Sequence, residues 1–208
     1  MKDLDFQHGG NINYFAEKFN LSISDIIDAS ASIVPFSIPD FLKEELFIAI
    51  KNESFKYYPE INLNKLKQTI GSFHNIDSSC IMPGNGASEL ITWVAFEAAK
   101  YNINCLPVPG FSDYERALNC WKAKYFCEEL PKNNFKKIKQ PFPIHPKSDV
   151  IWITNPHNPT GQLWNRESLK KLIEKYKLVV CDEAFLSLTP NGENESLIPL
   201  TKKFDNLI

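Results

Sequence analysis

Four short clusters in this 208-residue chain place glycines, amides or carboxylates where apolar runs begin or end. In Pro83-Gly84-Asn85-Gly86-Ala87-Ser88-Glu89, two glycines stand directly ahead of an apolar helical pattern. Such a turn leaves backbone N–H groups free at the start of a helix, where the dipole favours an anion. The segment is then either a phosphate cradle or a tight strand-to-helix turn with Ser88 as a cap. It is not a Walker loop, because no GK[ST] follows, and it does not match GxGxxG. Asn155-Pro156-His157-Asn158-Pro159-Thr160-Gly161 follows the apolar Ile151-Trp152-Ile153. Each residue before proline is pushed out of the helical region, so two Asn-Pro pairs make a stiff turn that can aim asparagines inward. A surface turn would account for the prolines but not for the repeated asparagine. In Val179-Val180-Cys181-Asp182-Glu183-Ala184-Phe185 an apolar run ends on a carboxylate. A buried carboxylate is costly unless a cation answers it. A protonated ring nitrogen would serve Asp182; a helix cap or a salt bridge is the plainer alternative. The fourth cluster is Pro109 to Tyr114.

These clusters need a scaffold, and the hydrophobic pattern supplies one. From Cys80 onward short apolar runs alternate with helical spacing. Strands are expected at Cys80-Ile81-Met82, Asn104 to Val108, Lys124 to Cys127, Val150 to Thr154 and Leu178 to Cys181. Helices are expected over Leu90 to Ala98, Asp113 to Trp121 and Glu167 to Tyr176. Buried strands alternating with helices predict a mainly parallel α/β sheet with right-handed crossovers. Ligands of such sheets sit beyond the carboxyl ends of the strands, which is where the four clusters fall. Ahead of Cys80 the chain reads as an irregular arm with short helices. One follows Ile38-Pro39-Asp40, with Phe41, Leu42, Leu46, Phe47 and Ile50 on one side; another carries Leu63, Leu66, Ile70 and Phe73.

Composition narrows the function classes. At 43% hydrophobic and 23% charged, the chain has the make-up of a soluble globular protein. A net charge of -2 gives no footprint for nucleic acid. The cluster Lys132, Lys136, Lys137 and Lys139 reads as a solvated loop. The five cysteines form no CxxC pair, which fits reduced core thiols and neither a disulfide framework nor a metal site. The N-terminus has no signal-peptide core, and Leu90 to Ala99 is too short to span a bilayer. A cytoplasmic protein with no membrane, nucleic-acid or metal partner is expected.

NPHNPTG, followed by a strand and DEAF, resembles the class I/II aminotransferase family of pyridoxal 5′-phosphate enzymes. PGNGASEL and PGFSDYERA stand upstream in the right order. Within that family, His8-Gly9-Gly10-Asn11 and Gly110 to Ala117 resemble the branch of L-threonine-O-3-phosphate decarboxylase of cobalamin biosynthesis, a close relative of histidinol-phosphate aminotransferase. The resemblance runs over essentially the whole chain. It implies the three-layer α/β large domain of aspartate-aminotransferase-like enzymes, with residues 1–50 as an N-terminal arm and part of a small domain, and 51–208 as the cofactor-binding large domain. It also implies the site. The backbone of Gly86, Ala87 and Ser88 would hold the cofactor phosphate. Phe111 would stack on the ring, Asn158 would bond its O3′, and Asp182 would pair with the pyridine nitrogen and keep it protonated. Tyr58 would reach the phosphate across a homodimer interface. His8 and Ser32 would lie toward a small amino-acid or amino-phosphate substrate, Ser32 standing where relatives carry asparagine. Phe185 departs from the tyrosine of many relatives and offers no hydroxyl toward O3′.

The family's covalent chemistry runs through a Schiff-base lysine in an S-x-x-K segment downstream of this aspartate. Thr201-Lys202-Lys203-Phe204 is not that segment. Ser196 to Lys203 reads as the helix before the lysine's strand, and Asp205 to Ile208 as that strand beginning. The sequence therefore leads to a large domain incomplete at its C-terminus, with an uncovered sheet edge and poor solubility. The leading reading is threonine-phosphate decarboxylase, incomplete as given. Histidinol-phosphate or a related aminotransferase is the alternative within the family, and a non-catalytic fragment of the fold the alternative outside it. A nucleotide-binding domain is disfavoured by its missing motifs.

Overall fold

A computed structural model describes residues 9–34, 36–130 and 147–208. His8 and the cluster from Lys132 to Lys139 lie outside the described residues. Contacts divide the chain into two units, Met1–Tyr58 and Pro59–Ile208.

In the first unit, Asn11 caps helix α1 (Ile12–Phe19) through its side chain, which accepts the Tyr14 N–H at 3.3 Å. The Gly9-Gly10 pair is explained by close approach. A Cβ on Gly9 would lie 1.8 Å from the Ser30 carbonyl oxygen. Gly10 has φ +88° and donates its N–H to Ser30 Oγ at 2.9 Å. Ser30 is itself held by Asp28 Oδ1, which accepts from its N–H at 2.8 Å and its hydroxyl at 2.6 Å. The two motifs Gly9-Gly10 and Asp28-Ala29-Ser30 are thus one local structure. Helix α2 (Asp40–Lys51) has no buried residue, and its expected apolar side, from Phe41 to Ile50, is exposed.

The second unit holds α3 (Asn64–His74), α4 (Ala87–Ala98), β1 (Asn104–Val108), α5 (Asp113–Cys120), β2 (Tyr125–Glu129), β3 (Val150–Thr154), α6 (Arg166–Ile173) and β4 (Leu178–Asp182). The four strands form one parallel sheet in the order β2-β1-β3-β4. The expected strand at Cys80-Ile81-Met82 is absent. Ser78–Cys80 is instead a 3-10 turn, because Asp77 Oδ1 accepts the Ser79 N–H at 2.8 Å and local bonding wins over a ladder. The expected helix at Ser196 to Lys203 is a 3-10 turn over Ile198–Lys202. Beyond it, Leu207 bridges Val179 in parallel, with Val179 N–H donating to Asn206 O and Ile208 N–H to Val179 O.

Strand period fixes what faces where. Val150 and Trp152 of β3, with Leu178 and Val180 of β4, pack against Ile91 and Ala95 of α4 and Ala117 and Leu118 of α5. Ile151 and Ile153, with Val179, pack on Leu169, Leu172 and Ile173 of α6. Thr154 and Asp182 are partners in register at the carboxyl end, and both share the parity of the α4/α5 face. Strand order reverses between β1 and β3, so this edge is also the switch point.

One buried polar residue ties the first helix–strand step together. Asn104, fully buried, donates to the Ala98 and Lys124 carbonyls and accepts the Trp152 indole N–H at 3.0 Å. Asn104→Ala leaves that indole N–H without its acceptor in the core and removes the side-chain donor from two carbonyls that keep a backbone one, from Tyr101 and from residue 104 itself. It should lower the unfolding free energy by about 1–3 kcal/mol, whereas Lys43→Ala on the exposed α2 should stay within about 0.5 kcal/mol. Urea unfolding monitored by tryptophan fluorescence reads both.

Candidate functional site

The carboxyl end of β4 places Asp182 where the α4/α5 face opens. Both of its oxygens are engaged. Oδ2 accepts the Tyr114 hydroxyl at 2.8 Å, and Oδ1 accepts the Ala184 N–H at 3.0 Å. Each retains a lone pair for a further donor. Tyr114 is buried at the start of α5 and packs between Phe111, edge-on at 5.5 Å, and Trp152 at 5.2 Å. Burial, and next the charge of Asp182, push the Tyr114 hydroxyl well above its ordinary pKa, so it stays a donor. Its one proton goes to Asp182, so the Thr154 hydroxyl, 2.9 Å away, donates to it. A chain Thr154 to Tyr114 to Asp182 therefore crosses the carboxyl edge from β3 to β4.

A cavity of about 270 Å³ opens at this point, lined by Ala87, Leu90, Val94, Tyr114, Trp152 and Asp182 among others. Its other end is the first turn of α4. Gly86 precedes the helix with φ +85°, a conformation suited to glycine, and provides no side-chain cap. Glu89 Oε2 reaches back to take the Asn85 N–H at 2.5 Å. The N–H groups of Ala87 and Ser88 make no hydrogen bond among the described residues, which is the state an incoming anion would meet.

The two asparagines of the turn after β3 separate into different roles. Asn155 is fully buried and bracketed: its amide donates to the Trp164 carbonyl at 3.1 Å and accepts the Trp164 N–H at 3.0 Å. Its own N–H donates to the Asp182 carbonyl at 2.8 Å. Asn158 is half-buried, and its side chain makes no hydrogen bond among the described residues. Peptide bonds 108–109, 155–156 and 158–159 are cis. The following carboxylate of the DEAF segment is structural as well. Glu183 accepts the Ser196 hydroxyl and the Leu197 N–H, each at 2.6 Å, and burial raises its pKa.

Of the residues expected to form a site, Ala87 and Asp182 line the cavity; Gly86 and Ser88 adjoin Ala87, and Phe111 contacts it through Tyr114. Tyr58, wholly exposed, and Ser32, exposed, belong to the first unit. His8 lies outside the described residues. Tyr114 and Thr154 are additions. Strand parity could have found Thr154, and Tyr114 lies three residues after Phe111 in the PGFSDYERA segment. The described residues contain no helix long and apolar enough to cross a membrane and no cluster of potential metal ligands.

Comparison with known proteins gives this geometry a family. The family model for aminotransferase class I and II matches residues 16–208, and the chain belongs to that family. It is 29% identical to the threonine-phosphate decarboxylase of Salmonella typhimurium, over 88% of this chain and 51% of that protein. It is 32% identical to the histidinol-phosphate aminotransferase of Hydrogenobaculum sp., over 76% of this chain and 46% of that protein. The crystal structure of L-threonine-O-3-phosphate decarboxylase from Porphyromonas gingivalis matches with a TM-score of 0.68 at 22% identity, over 85% of this chain and 52% of that one. The chain spans about half the length of these relatives. The family uses pyridoxal 5′-phosphate. The donor set fits that group, with unengaged amides for an anion at one end of the cavity and a carboxylate for a cation at the other.

His157 of the same turn makes a prediction on pH. It is buried, its Nδ1 lies 2.8 Å from Thr160 Oγ1, and it donates to the Pro109 carbonyl. Burial lowers its pKa from 6.5 to about 4. Between those values the unfolded chain binds a proton that the folded chain refuses, so stability falls as pH drops through that window. The slope is at most about 1.4 kcal/mol per pH unit for one proton. His157→Gln should flatten the stability–pH curve between 6.5 and 4 by up to that slope. Identical curves for both proteins would contradict it.

Proposed function

We propose that this member of the class I and II aminotransferase family holds pyridoxal 5′-phosphate between the start of α4 and the end of β4 and serves the decarboxylation of L-threonine-O-3-phosphate. The observation that carries the cofactor half is Asp182, fixed by Tyr114 at the rim of a cavity that begins at an uncapped helix N-terminus. Bound there, the cofactor supplies a protonated ring that withdraws electrons from the substrate's α-carbon.

The chain's own residues then bind and orient. The N–H groups of Ala87 and Ser88, with Gly86 allowing the backbone to turn, hold the phosphate. Phe111 packs on the ring, and the Asn158 amide donates to O3′. Asp182 holds the proton on the ring nitrogen, and Tyr114 keeps the carboxylate aimed. Tyr58 of a second copy completes the phosphate site in a homodimer, and His8 and Ser32 lie toward the substrate. No lysine among the 208 residues is assigned the covalent role. Lys202 and Lys203 are exposed on and just after the 3-10 turn that precedes the Leu207 bridge. In this reading residues 1–50 are the arm and part of the small domain, 51–208 belong to the large domain, and the protein works in the cytoplasm.

The decarboxylase assignment is supported by the Salmonella relative, aligned over 88% of the chain, and by the Gly110 to Ala117 segment. Histidinol-phosphate aminotransfer is the second reading, supported by the 32% identity to the Hydrogenobaculum protein. Assay with L-threonine-O-3-phosphate of a longer protein that also supplies the Schiff-base lysine is expected to release carbon dioxide and an amino-alcohol phosphate, and Asp182→Asn to lower that rate by about 10²-fold or more. Keto-acid formation without carbon dioxide would favour the aminotransferase. Neither product, with no pyridoxal 5′-phosphate bound, would leave a non-catalytic fold.

A further inference from the structure

Next to the cradle, the structure carries a buried charge that the proposed function does not use. Asp113, the first residue of α5, is 3% exposed. Its Oδ2 accepts the Ser88 hydroxyl at 2.8 Å, so a negative charge lies one side chain away from the turn that would hold a phosphate. One turn on, Arg116 answers it: Nε donates to Asp113 Oδ1, and Nη2 donates to Oδ2 at 3.0 Å. The same Nη2 reaches across to α4, to Ser88 Oγ at 3.1 Å, the Ser88 carbonyl at 3.3 Å and Thr92 Oγ1 at 2.9 Å. Ser88, Asp113 and Arg116 therefore close a ring of hydrogen bonds between the two helices.

Three consequences follow from that ring. The Ser88 hydroxyl proton is committed to Asp113, so Ser88 can offer an anion only its backbone N–H. The first turn of α4, which Gly86 leaves without a side-chain cap, is pinned from α5 instead. Most important, the guanidinium cancels the field of Asp113 at the point where a phosphate would sit, and a buried charge is felt there at low effective dielectric.

We infer that Arg116 is a positioning residue for the cofactor phosphate, acting by neutralising Asp113 beside the first turn of α4. This rests on the cofactor reading above, and the test separates the two. Affinities of the protein for pyridoxal 5′-phosphate and for pyridoxal, which lacks the phosphate, are measured by quenching of tryptophan fluorescence; Trp152 lines the cavity. The wild type is expected to prefer the phosphate-bearing form. Arg116→Met should weaken pyridoxal 5′-phosphate by about tenfold or more while pyridoxal changes by less than about twofold. Arg116→Lys keeps a cation and should retain most of the preference, and the double variant D113N/R116M should recover it by removing both charges. Should R116M fail to fold, Asp113→Asn alone decides: it should bind pyridoxal 5′-phosphate at least as tightly as the wild type. An unchanged preference in R116M, an equal loss of both ligands, or a loss in D113N would each overturn the inference. A wild type that does not distinguish the two ligands would overturn the cofactor reading and the inference with it.

Discussion

A carboxylate that ends a buried strand needs donors, because each part of its charge withdrawn from water must be met by a hydrogen bond. Asp182 is answered twice by the protein itself, from Tyr114 and from the Ala184 N–H, and the rest of the site depends on that arrangement. The parity of β4 turns Asp182 toward the α4/α5 face, and its register with Thr154 brings a second hydroxyl to Tyr114. Glu183, one residue past the end of β4, spends its charge on the loop at Ser196 and Leu197. Adjacent carboxylates thus take unlike tasks, because the strand holds one and the loop that follows holds the other.

The same logic of neighbouring residues with separate tasks runs through the other loops. Asn155 closes the turn after β3 onto Trp164, while the Asn158 amide is unengaged among the described residues. Ser88 gives its side chain to Asp113, and its N–H makes no hydrogen bond among the described residues. Structural bonds fix the frame, and the groups left over point to chemistry. At the ends of the parallel strands this division is what lets a loop be both rigid and receptive.

Much of this frame was legible in the sequence. The apolar runs at Val150 to Thr154 and Leu178 to Cys181 became strands within a residue, and the turn clusters fell at their carboxyl ends. The strand expected at Cys80 to Met82 failed because Asp77 and Ser79 offered a local bond that periodicity does not register. Residue type and spacing could not separate Asn155 from Asn158, since both precede proline; the family resemblance singled out Asn158, and the bonds to Trp164 give the structural task to Asn155. Nor could sequence find the Tyr114 hydroxyl on Asp182, 68 residues away, or the pairing of Ser88 with Asp113, which depend on how α4 and α5 lie on one sheet face. Short-range motifs specify turns, whereas the partner of a buried polar group is a property of packing.

The central claim is that Asp182 and the first turn of α4 hold opposite ends of one cofactor. It is tested most directly by a crystal structure of the protein with pyridoxal 5′-phosphate. The phosphate is expected on the N–H groups of Ala87 and Ser88, with the ring nitrogen within hydrogen-bond distance of Asp182 and Tyr114 still bonded to that carboxylate. Cofactor bound elsewhere, or bound here with its nitrogen facing away from Asp182, would contradict it.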